Sequence, residues 1–288
     1  MLEAKFYETY YFCNVIRNVL HDQYSYIRNL NDFYGDEAIF YLIAPFKKYS
    51  TFHQFIEFIV ENIYVEKIND IDLEHRKNLL ADFKNIPEAI LDMTPTTLPI
   101  EQAFKFHGLE FYSFESFLKG RMKPFVFCDE DDIIDYMAEL RGGEEYEKLI
   151  DLTVKEVFHV LFQNRALMLL FNDMIASALE NESNGGAPEE KQELFSMAGK
   201  LKRKSIPKWV QRAVFFREQG RCVLCDKDLS GMLNIENKEN YDHIVPLAKY
   251  GINDVSNIQL LCKECNQIEK KDGQAVTSSS YQSWYIYD

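Results

Sequence analysis

The sequence lacks the long apolar segments that membrane proteins need. No apolar run among its 288 residues approaches the roughly 20 residues that span a bilayer. The first residues, Met-Leu-Glu-Ala-Lys-Phe-Tyr, place polar and aromatic side chains where a signal peptide has a plain apolar core. The apolar fraction of 47%, without an internal repeat, is typical of a globular protein. Because the sequence has neither a spanning run nor a signal-peptide pattern, we expect a cytoplasmic protein that has no membrane association.

Positive charge is also in short supply, since 32 Lys and Arg oppose 46 Asp and Glu, for a formal net charge of −14. Taken for the whole chain, this balance argues against nucleic-acid binding. The charge is unevenly distributed, however: residues 200–288 hold 14 basic and 11 acidic residues, whereas residues 1–199 hold 18 and 35. Residues 200–221 alone hold eight basic residues and one acidic residue. The C-terminal part therefore carries the positive charge that a phosphate backbone requires.

Cysteine is scarce, but four of the six cysteines form two Cys-x-x-Cys pairs, which are 36 residues apart. In a reducing compartment such pairs favour metal ligation over disulfides. Two pairs provide the four thiolates of a closed tetrahedral zinc site, the structural type. Judged on the cysteines alone, the favoured interpretation is a zinc ribbon that only binds. The four residues are Cys222, Cys225, Cys262 and Cys265.

The apolar pattern predicts helices over most of the N-terminal region. Apolar residues recur at helical spacing in several stretches, one of which contains Phe52, Phe55, Ile56, Ile59, Val60 and Ile63.

A segment with the composition of a linker follows at residues 182–188. Beyond it, Ser205-Ile206-Pro207 predicts a helix that starts with a serine cap, has proline just inside and ends at Gly220. We therefore predict a mainly α N-terminal domain (1–182), a linker and basic segment (183–204), a small zinc-stabilised α+β domain (205–272) and a tail (273–288).

Polar residues suited to phosphodiester hydrolysis lie in this small domain. Asp242 and His243 occur in a short apolar run typical of a strand, Asn257 precedes a second such run, and Asn266 directly follows the last cysteine. Hydrolysis needs a base that activates water and a cation on the scissile phosphate. His243 can act as the base at neutral pH, and the oxygens of Asp242 and Asn266 suit magnesium. Because adjacent strand residues point to opposite faces, a bulge or an approach from two directions is needed for both to serve one site.

These residues occur in the order Cys-x-x-Cys, Asp-His-x-x-Pro, Gly-x-Asn, Asn-x-Gln-Leu-Leu-Cys-x-x-Cys-Asn, which resembles HNH endonucleases of the ββα-metal fold. The resemblance covers residues 205–272. It implies that His243 is the general base, that Asp242 and Asn266 bind a catalytic magnesium or manganese ion, and that Asn257 braces the loop and the His243 backbone. It also implies that the four cysteines hold a structural zinc and that DNA is the usual substrate.

Basic residues around the motif are the predicted nucleic-acid contacts. They would give salt-sensitive, sequence-independent affinity for double-stranded DNA. For the basic residues between Lys200 and Arg212, an ordinary solvent-exposed helix or loop face is an equally good explanation. The family often has a lysine three residues after the asparagine at position 266, where this chain has Glu269. The predicted contacts are Lys204, Lys208, Arg212, Arg217, Lys270 and Lys271.

The acidity of residues 1–182 disfavours DNA contact and favours a protein partner, which leaves three hypotheses open. The first is a stand-alone DNA endonuclease whose helical domain positions the substrate. The second is the nuclease subunit of a multi-protein assembly, such as a phage-defence system with an ATPase. The third is a non-catalytic, zinc-stabilised module that binds nucleic acid, against which the presence of Asp242, His243 and Asn266 argues. DNA or RNA, nicking or double-strand cleavage, and oligomeric state stay open.

Overall fold

The computed structural model describes residues 2–83, 95–230, 240–268 and 273–283, except for the side chains of residues 81–83 and 268. The described chain is mostly helical, with a two-stranded antiparallel sheet near its C-terminus, which confirms the predicted fold class. The helices are α1 (Thr9–His21), α2 (Ile27–Tyr34), α3 (Ile39–Leu42), α4 (Thr51–Asn69), α5 (Leu73–Phe83), α6 (Pro99–His107), α7 (Phe114–Gly120), α8 (Glu130–Arg141), α9 (Glu144–Leu161), α10 (Arg165–Ser183), α11 (Lys208–Arg217) and α12 (Lys263–Ile268), and the strands are β1 (Tyr241–His243) and β2 (Ile258–Leu260).

The chain divides into two compact units, each built from two stretches of sequence. Unit 1 contains residues 1–12 and 57–157, and unit 2 contains residues 13–56 and 158–288. Unit 1 holds 12 basic and 25 acidic residues, whereas unit 2 holds 20 and 21. The acidic excess of the chain therefore lies almost entirely in unit 1, and the unit with the cysteine pairs is nearly neutral.

In unit 1, a buried carboxylate holds the chain at the start of α1. Glu156 on α9 accepts hydrogen bonds from the backbone N–H groups of Lys5 (2.5 Å) and Phe6 (3.1 Å) and from the hydroxyl of Thr9 (2.7 Å). A buried charge is costly unless hydrogen-bond donors surround it, and these three donors provide that compensation.

No helix among the described residues is both long enough and apolar enough to cross a bilayer.

In unit 2, the first part of α4 buries its apolar face against α10. The rings of Phe52 and Phe55 lie 4.8 and 5.4 Å from the ring of Phe171 on α10. All the apolar residues that predicted this helix are buried, so the prediction from periodicity is confirmed. The same helix α10 packs against the 3-10 turn Val255–Asn257, which leads into β2.

Helix α11 confirms the predicted helix ahead of the first cysteine, but its first and last residues differ from the predicted ones. Pro207 is the N-cap, so the helix begins at Lys208, and no side-chain cap is present. The helix ends at Arg217, three residues before Gly220, because Gln219 and Gly220 both adopt the left-handed backbone conformation. The proline restricts the backbone at the start, and this restriction replaces the serine cap that the sequence suggested.

Candidate active site

The four paired cysteines come together as one cluster. Their sulfur atoms all lie within 4.8 Å of one another, and Sγ of Cys225 is 3.7 Å from Sγ of Cys262. A tetrahedral zinc ion with zinc–sulfur bonds of about 2.3 Å places its sulfurs about 3.8 Å apart. The geometry and the thiol donor set therefore fit a structural zinc ion.

The cluster ties the start of the small domain to its strands and its last helix. The backbone N–H of Val223, next to the first cysteine, donates to the carbonyl of Leu260 on β2 (3.0 Å). At the other pair, the N–H of Asn266 donates to the carbonyl of Cys262 (3.0 Å). A metal at the cluster would thereby fix the start of α12 and, with it, the position of Asn266.

The sheet places Asp242 and His243 on opposite faces. Residues of β1 and β2 pair one to one, with Asp242 opposite Gln259 and His243 opposite Ile258. No extra residue interrupts these pairs, so the bulge considered from the sequence is absent from the paired residues. Asp242 and His243 therefore do not share a face of the sheet. Asp242 is half-buried, whereas His243 is only 1% exposed.

Asn257 makes the contacts of a loop brace. Its side-chain oxygen accepts from the N–H of Val245 (2.8 Å), and its side-chain nitrogen donates to the carbonyls of Val245 (3.0 Å) and Ile252 (2.9 Å). Its own carbonyl accepts from the N–H of Ile244 (2.7 Å). One buried side chain thus closes the loop that follows His243, and its backbone fixes the residue next to the histidine.

Gly251 lets this loop close on itself. A Cβ atom at this position would lie 1.9 Å from the carbonyl oxygen of Val245 and 2.9 Å from that of Pro246. No side chain fits there without moving backbone, so the glycine of the Gly-x-Asn motif is required by close approach.

Asn253, the asparagine of that motif, was given no role from the sequence. Its side-chain oxygen lies 3.4 Å from Nε2 of His243 and also accepts from the backbone N–H of Lys204 (3.4 Å). Its side-chain nitrogen donates to the carbonyl of Lys202 (3.0 Å). The only signal in the sequence was the motif itself, because its partners at 202 and 204 lie about fifty positions away.

Arg217 does not lie on the surface, which corrects its interpretation as a nucleic-acid contact. Its guanidinium pairs with Glu218 (2.6 Å), donates to the carbonyl of Ile258 (2.5 Å) and stacks on the ring of Phe162. The side chain is fully buried, so it cannot reach a phosphate. It instead joins α11 to β2.

The other predicted nucleic-acid contacts fall into two groups. Lys204, Lys208 and Arg212 are exposed. Phe216, on the same helix, is 73% exposed, and it was not among the nucleic-acid contacts predicted from the sequence. Lys270 and Lys271 lie outside the described residues, as does most of the segment between Cys225 and Asp242.

Comparison with known proteins agrees with the motif. No curated protein and no solved structure matches the chain, and no family model matches the N-terminal region. Residues 222–272 match the family model described as HNH endonuclease, and this segment contains both cysteine pairs, β1, β2 and α12. The C-terminal segment is thus similar to HNH endonucleases in its motif, in its two strands followed by a helix, and in its four-cysteine cluster, and this similarity indicates a nucleic-acid-related function.

Proposed function

We propose that this protein is a metal-dependent endonuclease that hydrolyses phosphodiester bonds in nucleic acid, with DNA as the expected substrate. The observation that carries the proposal is the match of residues 222–272 to HNH endonucleases on a segment that retains Asp242, His243 and Asn266. A protein that only bound nucleic acid would need none of these three side chains.

His243 would act as the general base. Because its ring is almost fully buried, it can take a proton only from a water molecule held inside the site. As that water oxygen attacks phosphorus, its proton passes to His243, the bond from phosphorus to the leaving oxygen breaks, and the leaving oxygen takes up a proton.

Asp242 and Asn266 would bind the catalytic divalent ion. A carboxylate and an amide carbonyl are the hard oxygen donors that magnesium and manganese prefer. Both residues are half-buried, which leaves part of the coordination shell to water and phosphate. The ion would supply positive charge to the scissile phosphate and the leaving oxygen.

One exposed face of α11 would bind the nucleic acid. Lys208, Arg212 and Phe216 are exposed and spaced four residues apart, so they share a face of the helix. The two basic side chains suit phosphates, and an exposed aromatic ring stacks on an unpaired base.

We expect Phe216→Ala to weaken binding to single-stranded oligonucleotides more than to duplexes in anisotropy titrations without added divalent metal. Phe127→Ala, an equally exposed phenylalanine in unit 1, is the matched control. Equal loss in the two variants would remove Phe216 from the interface.

Unit 1 would contact a protein partner. Its 12 basic and 25 acidic residues make it repel nucleic acid. A nuclease subunit of a larger assembly, such as a phage-defence system, fits this division of charge. Purification with the native host proteins under gentle conditions tests it, and a chain that stays alone and fully active would contradict it.

A second candidate function is a non-catalytic zinc-stabilised module that binds nucleic acid. The observation that favours it is the burial of His243, because a histidine with 1% exposure can also serve only to pack the strand. The two functions differ in their dependence on this side chain: packing requires its shape, whereas catalysis requires its ring nitrogens.

The deciding experiment measures cleavage of plasmid, single-stranded DNA and RNA with magnesium or manganese. We expect metal-dependent cleavage that His243→Ala abolishes while zinc content and circular dichroism stay unchanged. His159→Ala, an exposed histidine elsewhere in unit 2, should cut like the wild type. Full activity of His243→Ala would remove His243 as the base, and a folded, zinc-loaded wild type that binds but never cuts would favour the non-catalytic module.

A further inference from the structure

The side chain of Asn253 lies between His243 and the basic segment 202–204. The residue is 3% exposed, and its amide contacts Lys202, Lys204 and His243 as described above. Its backbone carbonyl also accepts a hydrogen bond from the N–H of Phe46 (2.8 Å). Backbone and side chain are therefore both held, and the amide has little freedom to move.

The contacts with the basic segment decide which end of the amide faces the histidine. Its NH2 group donates to the carbonyl of Lys202, and its oxygen accepts from the N–H of Lys204. Rotating the amide by half a turn would set donor against donor at Lys204 and acceptor against acceptor at Lys202. The oxygen is thus the atom that must face Nε2 of His243.

An amide oxygen only accepts hydrogen bonds, so Nε2 of a neutral imidazole beside it must carry the hydrogen. We propose that Asn253 is a positioning residue that holds His243 as the Nε2–H tautomer and leaves Nδ1 as the nitrogen that accepts the proton. The part of this inference that concerns catalysis rests on the proposed function. The tautomer itself is a property of the folded chain.

The basic segment then has two separable roles. The side chains of Lys202 and Lys204 offer charge to phosphate, whereas their backbone groups orient Asn253. Replacing either lysine by alanine removes charge but keeps the backbone groups. Replacing Asn253 removes the contact with His243 and keeps the charge, so the two kinds of variant form a matched pair.

The first test is nitrogen NMR of the full-length, zinc-loaded protein labelled with 15N-histidine, in which the His243 signals are assigned by their loss in His243→Gln. We expect a protonated Nε2 and a bare Nδ1. If Nδ1 carries the proton in the wild-type protein, the inference is overturned, whatever the variants show. The measurement needs no cleavage, so it is independent of the nuclease proposal.

The second test compares variants. Asn253→Ala should give a mixture of tautomers and lower kcat about five- to tenfold, the effect of losing one hydrogen bond, with KM nearly unchanged. Asn253→Asp retains an acceptor oxygen beside Nε2 and should keep the Nε2–H tautomer, although it loses the hydrogen bond to the carbonyl of Lys202 and with it some stability. Lys202→Ala and Lys204→Ala should raise KM and leave the tautomer as in the wild type.

Two results would refute the role of Asn253. One is an Asn253→Ala protein that keeps a single Nε2–H tautomer and the wild-type kcat. The other is a loss of the tautomer in Lys204→Ala as complete as in Asn253→Ala. A wild type that has the expected tautomer but cuts no nucleic acid would uphold this inference and count against the proposed function.

Discussion

Replacing Glu218 by glutamine should destabilise unit 2 strongly, because this carboxylate joins two buried arginines. Its side chain is 0% exposed. One oxygen accepts from Nε (2.8 Å) and Nη2 (2.6 Å) of Arg217, and the other accepts from Nη1 of Arg165 (2.6 Å). The two guanidiniums are themselves buried, and within the described part of the chain this carboxylate is the negative charge that both of them contact.

The magnitude follows from what glutamine leaves behind. The side chain keeps its shape, but the negative charge disappears and an NH2 group must face a guanidinium, donor against donor. Breaking a buried ion pair by removing one partner costs about 3–5 kcal/mol. Arg165 keeps its hydrogen bond to the carbonyl of Ser278 (2.8 Å), and Arg217 keeps the carbonyl of Ile258. We therefore expect about 3 kcal/mol, the lower end of that range.

Urea unfolding followed by circular dichroism and tryptophan fluorescence measures this loss. Trp209 lies on α11, close in sequence to the altered position. Glu115→Gln is the control, because Glu115 forms an exposed pair with Lys119 (2.8 Å) that should contribute less than about 1 kcal/mol. If Glu218→Gln loses no more than the control, the two arginines do not depend on this carboxylate and the argument fails.

Three further perturbations test the same unit. We expect the wild type to bind one zinc ion per chain and Cys225→Ser to lower both the zinc content and the melting temperature, because zinc binding is coupled to folding in small domains. An unchanged melting curve with zinc retained would refute the four-cysteine site. Gly251→Ala should destabilise by about 1–3 kcal/mol through overpacking, whereas Gly185→Ala, with its nearest backbone atom at 3.6 Å, should stay within about 0.5 kcal/mol of the wild type in the same urea titration. Burial raises the pKa of Asp254 above its ordinary 3.8, so the folded state binds this proton more tightly than the unfolded state, and the stability it contributes is lost as pH rises through the folded pKa. The wild type should therefore gain stability relative to Asp254→Asn as pH falls from neutral towards 3.8 in paired urea titrations, and the opposite trend would contradict the assignment.

The features that could be predicted from the sequence are those that short stretches encode. Each Cys-x-x-Cys pair sets two thiols on one turn, so the cluster followed from the spacing and the donor chemistry. The buried face of α4 followed from apolar residues at helical spacing.

The features that were missed depend on residues far apart in the chain. Arg217 resembles any other basic residue of its segment until Glu218 and the carbonyl of Ile258, which lies 41 positions away, are seen to bind it. Asn253 acquires its role only when the segment 202–204 passes beside it. The cap of α11 was wrong because a serine two residues ahead of a proline is a weaker constraint than the proline itself.

The loop that carries Asn253 and Asn257 is also held by helices from the predicted N-terminal domain. The N–H of Thr51, the first residue of α4, donates to Asp254 (2.9 Å), and Asn172 on α10 donates to Ser256 (3.2 Å). Whether residues 1–182 fold as a separate domain stays a prediction, but residues 13–56 and 158–182 share a compact unit with the HNH-like segment.

Each strand of the sheet has only three residues, so we expect this segment to depend on a metal at the cysteine cluster and on these helices for its rigidity. A fragment that begins at residue 205 keeps every proposed catalytic side chain but loses the partners that hold the loop beside His243. Loss of cleavage in such a fragment would therefore report on the support of the site and not on its chemistry. The nuclease proposal has to be decided on the full chain, with single substitutions at His243 and Asn253.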